Sequence, residues 1–285
     1  MNWLIQALNG FSFGALLYLL ASGFTITFGL ARVANMTHGG FYLLGGYLGF
    51  SVLRWTGNFW LAMLASGAGI VIFNFFFERY LIRRTMDNVL AQVLLTVGVT
   101  YVIADITLMI WGSDPLRIRP PAFARGPIEL PFDILYPRYR FLLILFGVIV
   151  GAVQWILYKK TQFGAVIRAG VDDREMVSAI GINVDRLFAI VFALAAFLAG
   201  VSGMIGGAFL TLYPGAEWEI LVLALVVVIV GGLGSLEGAM LGSLIVGLVD
   251  AYGRWLLPDF SYFMVFAPMA ILLLFRPTGL FGKEH

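Results

Sequence analysis

The sequence contains no cysteine, which excludes disulfides and thiolate metal sites outright. Histidine is nearly as scarce, with only His38 and the terminal His285, and no HExxH pattern is present. Charge is thin as well. Of the 285 residues, 12% are charged, about half the share of an ordinary soluble domain. The net charge of +2 leaves no basic footprint for nucleic acid. What is abundant is apolar: 61% of the chain is hydrophobic, and glycine contributes 34 residues.

The apolar residues fall in long uncharged runs rather than amphipathic stripes. Residues 4–31, 55–77, 88–104, 141–158, 187–216 and 220–236 contain no charge. A spanning helix needs roughly 20 apolar residues, so each run crosses or nearly crosses a bilayer. Glycine suits this class, because small residues let helices approach closely in lipid. The fold class is therefore all-α, a polytopic transmembrane bundle in one domain with glycine-rich broken helices. Nine spans are expected, near 4–30, 36–54, 59–77, 89–112, 140–158, 187–211, 218–233, 236–256 and 261–276. Only Gly- and Ser-rich sequence separates 218–233 from 236–256, so a re-entrant pair, and hence eight to ten spans, is also compatible.

Sidedness follows from Lys and Arg in the loops. One set of alternate loops holds Arg32, Arg79, Arg83, Arg84, Lys159, Lys160, Arg168, Arg174, Arg186, Arg276 and Lys283. The other holds Arg54, Arg117, Arg119, Arg125, Arg138, Arg140 and Arg254. The imbalance places the N-terminus outside and the C-terminus in the cytoplasm. The external loop 113–139 carries six of the ten prolines and reads as a stiff, irregular segment, a connector or a docking rim.

The cytoplasmic loop 158–186 is the most informative hydrophilic stretch. Asp172 and Asp173 can cap and charge a helix start. Met176, Val177 and Ile180 then fall on one helical side, and Gly181 supplies a left-handed stop. Such a helix either lies on its own protein or inserts its apolar side into a groove of a soluble partner.

Candidate path residues are polar groups at span positions. Asn35, Thr37 and His38 form a cluster between the first two spans, where a neutral histidine satisfying backbone at the Gly39–Gly40 break is the expected role. Asp105 lies in the fourth span behind Thr96 and Thr100, with Thr100 close enough in angle to share a broad face. Intramembrane carboxylates are functional candidates by default, but a structural ion pair or an interfacial position is the expected role over a pore-facing one. Glu217 and Glu219 frame Trp218 at the outer end of a later span, where they either meet basic groups of an external partner or are ordinary exposed carboxylates at a helix start. The run GGLGS, residues 231–235, lacks the Gly-Lys-Ser/Thr ending of a phosphate loop and fits close helix packing better.

Three stretches together carry a family resemblance. They are NGFSFGALLYLLASGFTITFGLARVANMTHGGFYLLGGYLG, GAVIRAGVDDREMVSAIGINVDR, and VGGLGSLEGAMLGSLIVGLVD with the ending ILLLFRPTGLFGK. In this order they resemble permeases of the branched-chain amino acid ABC importers, the H-type (LivH-like) subunit, over nearly the whole chain. The resemblance implies a bacterial inner-membrane subunit that pairs with a related M-type permease inside membrane lipid. It also implies two cytoplasmic ATPases, which would bind ATP and Mg, and a periplasmic solute-binding protein. No catalysis and no cofactor are expected in the chain itself. By the resemblance Gly164, Arg168, Asp172 and Gly181 belong to the segment that couples to the ATPases. Urea, short amides and small organic acids remain alternative solutes, and an ion-coupled transporter or channel using Asp105 and His38 is the rival mechanism.

Overall fold

Each uncharged run becomes a helix, because in lipid a backbone without water must satisfy its own polar groups. In the computed structural model, which describes residues 2–31, 35–85, 88–131, 134–172 and 174–282, nine long helices carry the bundle. They are α1 (Asn2–Ala31), α2 (Thr37–Thr56), α3 (Phe59–Tyr80), α4 (Val89–Trp111) and α5 (Arg138–Lys160), then α8 (Val184–Phe209), α9 (Ala216–Gly231), α10 (Leu236–Leu256) and α11 (Ser261–Phe275). Two short helices, α6 (Gln162–Asp172) and α7 (Arg174–Ala179), connect α5 to α8. Seven helices are long and apolar enough to cross a membrane, and α2 and α9 fall outside that set. The chain is a multi-pass helical membrane protein.

Glycine decides the packing. Along α1 and α10, a Cβ on Gly14 would meet the Ser243 carbonyl at 2.7 Å, so these antiparallel helices touch backbone to backbone. Between α2 and α8 a methyl group on Gly203 would collide with the Tyr42 carbonyl. The Ser66 hydroxyl of α3 donates to the carbonyls of Gly45 (2.8 Å) and Gly200 (2.6 Å), tying three helices at one point. In α1 and α8, 83% and 67% of the spanning residues are buried; in α11 only 6% are, which makes α11 peripheral.

The 113–139 loop is more regular than its prolines imply. Strands β1 (Pro127–Leu130) and β2 (Ile134–Pro137) form an antiparallel pair with Pro127 opposite Pro137. The prolines sit at paired ends, where a missing N–H costs least. Leu116 and Leu212 exchange backbone hydrogen bonds of 2.8 and 2.9 Å, which pins this loop to the chain leaving α8.

That exit segment turns back into the bundle. Leu212 is fully buried, and its side chain packs over Gly46 and Gly207. Helix α9 then starts beside Gly39, near the first turn of α2. Its 16 residues span about 24 Å, short of a hydrocarbon core of about 30 Å. The α9–α10 pair is two separate antiparallel helices, joined by a turn in which Gly232 and Gly234 take φ of 97° and 80°.

Candidate functional site

The polar cluster expected between the first two spans forms at the start of α2. Asn35 Oδ1 accepts from the Thr37 amide at 3.1 Å and its carbonyl accepts from the His38 amide at 3.3 Å. These bonds satisfy two of the orphan donors of the first turn. The Thr37 hydroxyl donates to the Thr96 carbonyl at 3.0 Å, and Thr100 donates to the carbonyls of Met36 (3.2 Å) and Thr96 (2.9 Å). His38 Nε2 lies 3.0 Å from the Leu20 carbonyl. A carbonyl only accepts, so Nε2 carries the proton. The histidine ring also meets Phe24 edge-on at 5.8 Å. Asn35, Thr37, His38, Thr96 and Thr100 are thus assembled and buried between α1, α2 and α4.

Asp105 does not join them. Thr100 and Asp105 were expected to share a broad helical face, but five residues turn about 140° around an α-helix. Thr100 is buried and Asp105 exposed, on the side of α4 with Leu94, Gly98 and Met109.

The sequence also misplaces Glu217. Read as an exposed helix-start carboxylate, it is buried, and its Oε2 accepts from the Gly215 amide at 2.7 Å. Anions are favoured at this end of α9 by the helix dipole. Glu219 is exposed as expected. Near the same entry sit two fully buried tyrosines of α2. The hydroxyls of Tyr42 and Tyr47 have no hydrogen-bond partner among the described residues. Tyr47 is within electrostatic reach of Glu217, and Tyr42 of Tyr213. Apolar span composition hides such tyrosines, although Tyr42 shares a helix face with Gly39, Gly45 and Gly46.

The loop 158–186 differs from a single capped helix. Asp172 ends α6 rather than starting a helix, and Asp173 lies outside the described residues. Gly164 packs so closely on the Tyr158 carbonyl that no side chain fits. Arg168 donates to the same carbonyl and lies over the Tyr158 ring at 5.2 Å. Helix α6 is therefore clamped back onto the end of α5. In α7 Val177 is buried, whereas Met176 and, just past the helix, Ile180 are 61% and 68% exposed. The apolar side is split, one residue anchoring inward and two facing away. Gly181 closes the turn at φ 87°, with Ile182 N bonded to the Val177 carbonyl at 3.3 Å.

A family described as branched-chain amino acid transport system, permease component, matches residues 6–273. The chain belongs to this family. BraD of Pseudomonas aeruginosa, a high-affinity branched-chain amino acid transport system permease protein, is 28% identical over 300 residues, covering 100% of this chain and 97% of BraD. LivH of Escherichia coli K12 is 25% identical over 303 residues with the same coverage. The ribose import permease RbsC of Haemophilus influenzae is 32% identical over 132 residues, 44% of this chain and 41% of RbsC. No solved structure matches.

In this branched-chain permease several other polar contacts brace the bundle. Tyr18 donates to Gln154 Oε1 at 2.6 Å, and Gln154 Nε2 donates to Ser22 at 3.0 Å, a buried bridge from α1 to α5. At the end of the bundle that carries α6 and α7, Lys159 pairs with Glu237 at 2.9 Å and Arg83 with the buried Glu78 at 2.7 Å. Among the described residues no cluster of His, Asp and Glu is suited to a metal ion.

Proposed function

We propose that this permease forms half of a translocation path, with a second, M-type permease as the other half, in an ATP-driven importer of branched-chain amino acids or related small solutes. Two cytoplasmic ATPases that bind ATP and Mg, and a periplasmic solute-binding protein, complete the assembly. The N-terminus lies outside and the C-terminus in the cytoplasm, as the loop charges favour. The substrate class rests on the names of BraD and LivH, which cover almost the entire chain.

One observation carries the coupling. Helices α6 and α7 are held on α5 through Gly164, Arg168 and Tyr158, and they present Met176 and Ile180 outward. Asp172, Asp173, Val177 and Gly181 belong to the same segment. A clamped helix pair with two exposed apolar side chains fits a groove on a soluble partner. Movement of that partner then passes through α6 to α5 as rigid-body motion, which alternates access to a path between packed helices. Asn35, Thr37, His38, Thr96 and Thr100 are the path candidates of the α2 start, and Asp105 is a candidate on the opposite side of α4, facing the second permease. With His38 bonded to a carbonyl, its role in the path is to order the helix break.

Reconstitution of the complete complex in proteoliposomes tests this reading. With the binding protein present, labelled leucine accumulates only when ATP is on the ATPase side. The double variant Arg168→Ala, Asp172→Ala hydrolyses ATP without accumulating solute. Accumulation driven by an ion gradient without ATP, or normal coupled uptake by the double variant, contradicts it.

A further inference from the structure

Four arginines gather where α2 ends, α3 begins and the 113–139 loop folds over. Arg54, Arg117, Arg119 and Arg125 line one cavity of about 440 Å³, together with Phe50 and Leu53 of α2. An adjoining cavity of about 290 Å³ shares Leu53, Arg119 and Arg125 and adds Asn58, Trp60 and Phe123. All four arginines are exposed, and none pairs with a carboxylate among the described residues. Arg125 Nε donates to the Pro120 carbonyl at 2.8 Å, which leaves its two terminal nitrogens for a ligand. The remaining arginines at this end are used differently. Arg254 grips Asp250 at 2.9 Å, Arg140 donates to Asn9, and Arg138 stands outside both cavities.

The loop charges favour this end as the external one, where Lys and Arg are usually fewer, so four arginines gathered there without a carboxylate are a notable concentration of positive charge. Their retention around concave space calls for an anion. Guanidinium groups match phosphate oxygens in a bidentate fork. The apolar part of the lining restricts the anion further. Trp60 stacks on Phe123 at 6.2 Å, and Trp55 alongside is 88% exposed. Exposed tryptophans at helix ends mark the headgroup level of a bilayer. A cavity that offers arginines and aromatic or aliphatic walls at that level fits an amphiphile, with its phosphate on the guanidiniums and its glycerol and first methylenes along Phe50, Leu53 and Trp60. An acidic protein surface would use the charge but leave the apolar walls unfilled.

We propose that this arginine-lined cavity is a binding site for an anionic phospholipid of the adjoining leaflet. The bound headgroup fastens the 113–139 loop to the α2–α3 turn, since Arg54 comes from one and Arg117, Arg119 and Arg125 from the other.

The test uses the full-length chain in nanodiscs of phosphatidylcholine with increasing phosphatidylglycerol. Phosphatidylglycerol raises the thermal midpoint of the wild type, native mass spectrometry retains at least one such lipid, and inorganic phosphate at matched concentration reproduces neither effect. Arg117→Gln with Arg119→Gln weakens the phosphatidylglycerol response about tenfold or more, on the scale of losing one charge-assisted pair. Arg138→Gln leaves it intact. Arg119→Lys, which keeps the charge without the fork and guards against a folding defect, gives an intermediate loss. An identical response in wild type and the double variant overturns the proposal. So does a double variant with unchanged lipid response that no longer engages an acidic solute-binding protein, which would assign the arginines to that protein.

Discussion

Gly39, the residue after His38, packs directly on the backbone carbonyl of Glu217 at the first turn of α9. The contact joins the polar start of α2 to the buried entry of a short helix, two features far apart in sequence. A methyl group at Gly39 would collide with that carbonyl, and backbone on both sides leaves little room to yield.

Gly39→Ala is therefore expected to destabilise the permease by about 1–3 kcal/mol, the usual cost of overpacking. Gly98→Ala is the control, because a Cβ there meets nothing within 4 Å, and in mid-helix it should be neutral or gain up to about 1 kcal/mol of helix propensity. Thermal unfolding in nanodiscs compares the two. Equal effects would mean that α9 does not enter the bundle beside α2.

Tyr42 and Tyr47 hold buried hydroxyls without a described partner. Removing an unsatisfied hydroxyl is favourable for stability, by about 1 kcal/mol or more. Tyr42→Phe and Tyr47→Phe should thus melt higher than wild type. If these hydroxyls serve the solute or its water, uptake falls in the same variants. Higher stability with unchanged uptake would remove both from the path, and lower stability would indicate a bonded hydroxyl.

The Tyr18–Gln154–Ser22 bridge predicts an asymmetry. Tyr18→Phe removes one of the two bonds and leaves Gln154 Oε1 without its donor, whereas Gln154→Leu removes both; each bond is worth about 0.6 kcal/mol on average within membranes. Gln154→Leu strands the Tyr18 hydroxyl in an apolar interior and costs about 1–3 kcal/mol. Unfolding midpoints of the two variants, measured in one lipid composition, decide it; a larger loss for Tyr18→Phe would argue against the bridge.

The helices were legible because an uncharged run long enough to span has few alternatives in lipid. Asn35, Thr37 and His38 were legible for a related reason, since polar residues beside Gly39 and Gly40 interrupt such a run. The depth of α9 was not. Its burial follows from Leu212 docking on Gly46 and Gly207, a contact between distant segments that no local pattern encodes. Glu217 was misread with it, because an acidic first turn looks alike on a surface and in a core. Asp105 was allowed a broad face with Thr100, from which a step of about 140° separates it; its exposure agrees with the interfacial position preferred for it. In the 158–186 loop the exposed Met176 and Ile180 were found, but Asp172 was placed at a helix start when the helical stretch had already begun at Gln162.

Co-purification shows whether α6 and α7 receive the ATPases. The complex is isolated through a tag on this chain, as wild type and as Met176→Asp with Ile180→Asp, two side chains that face away from the bundle. Wild type should bring along the second permease and the ATPases, and the variant should keep the second permease while losing the ATPases. A variant that retains the ATPases in full and imports solute normally would contradict the account.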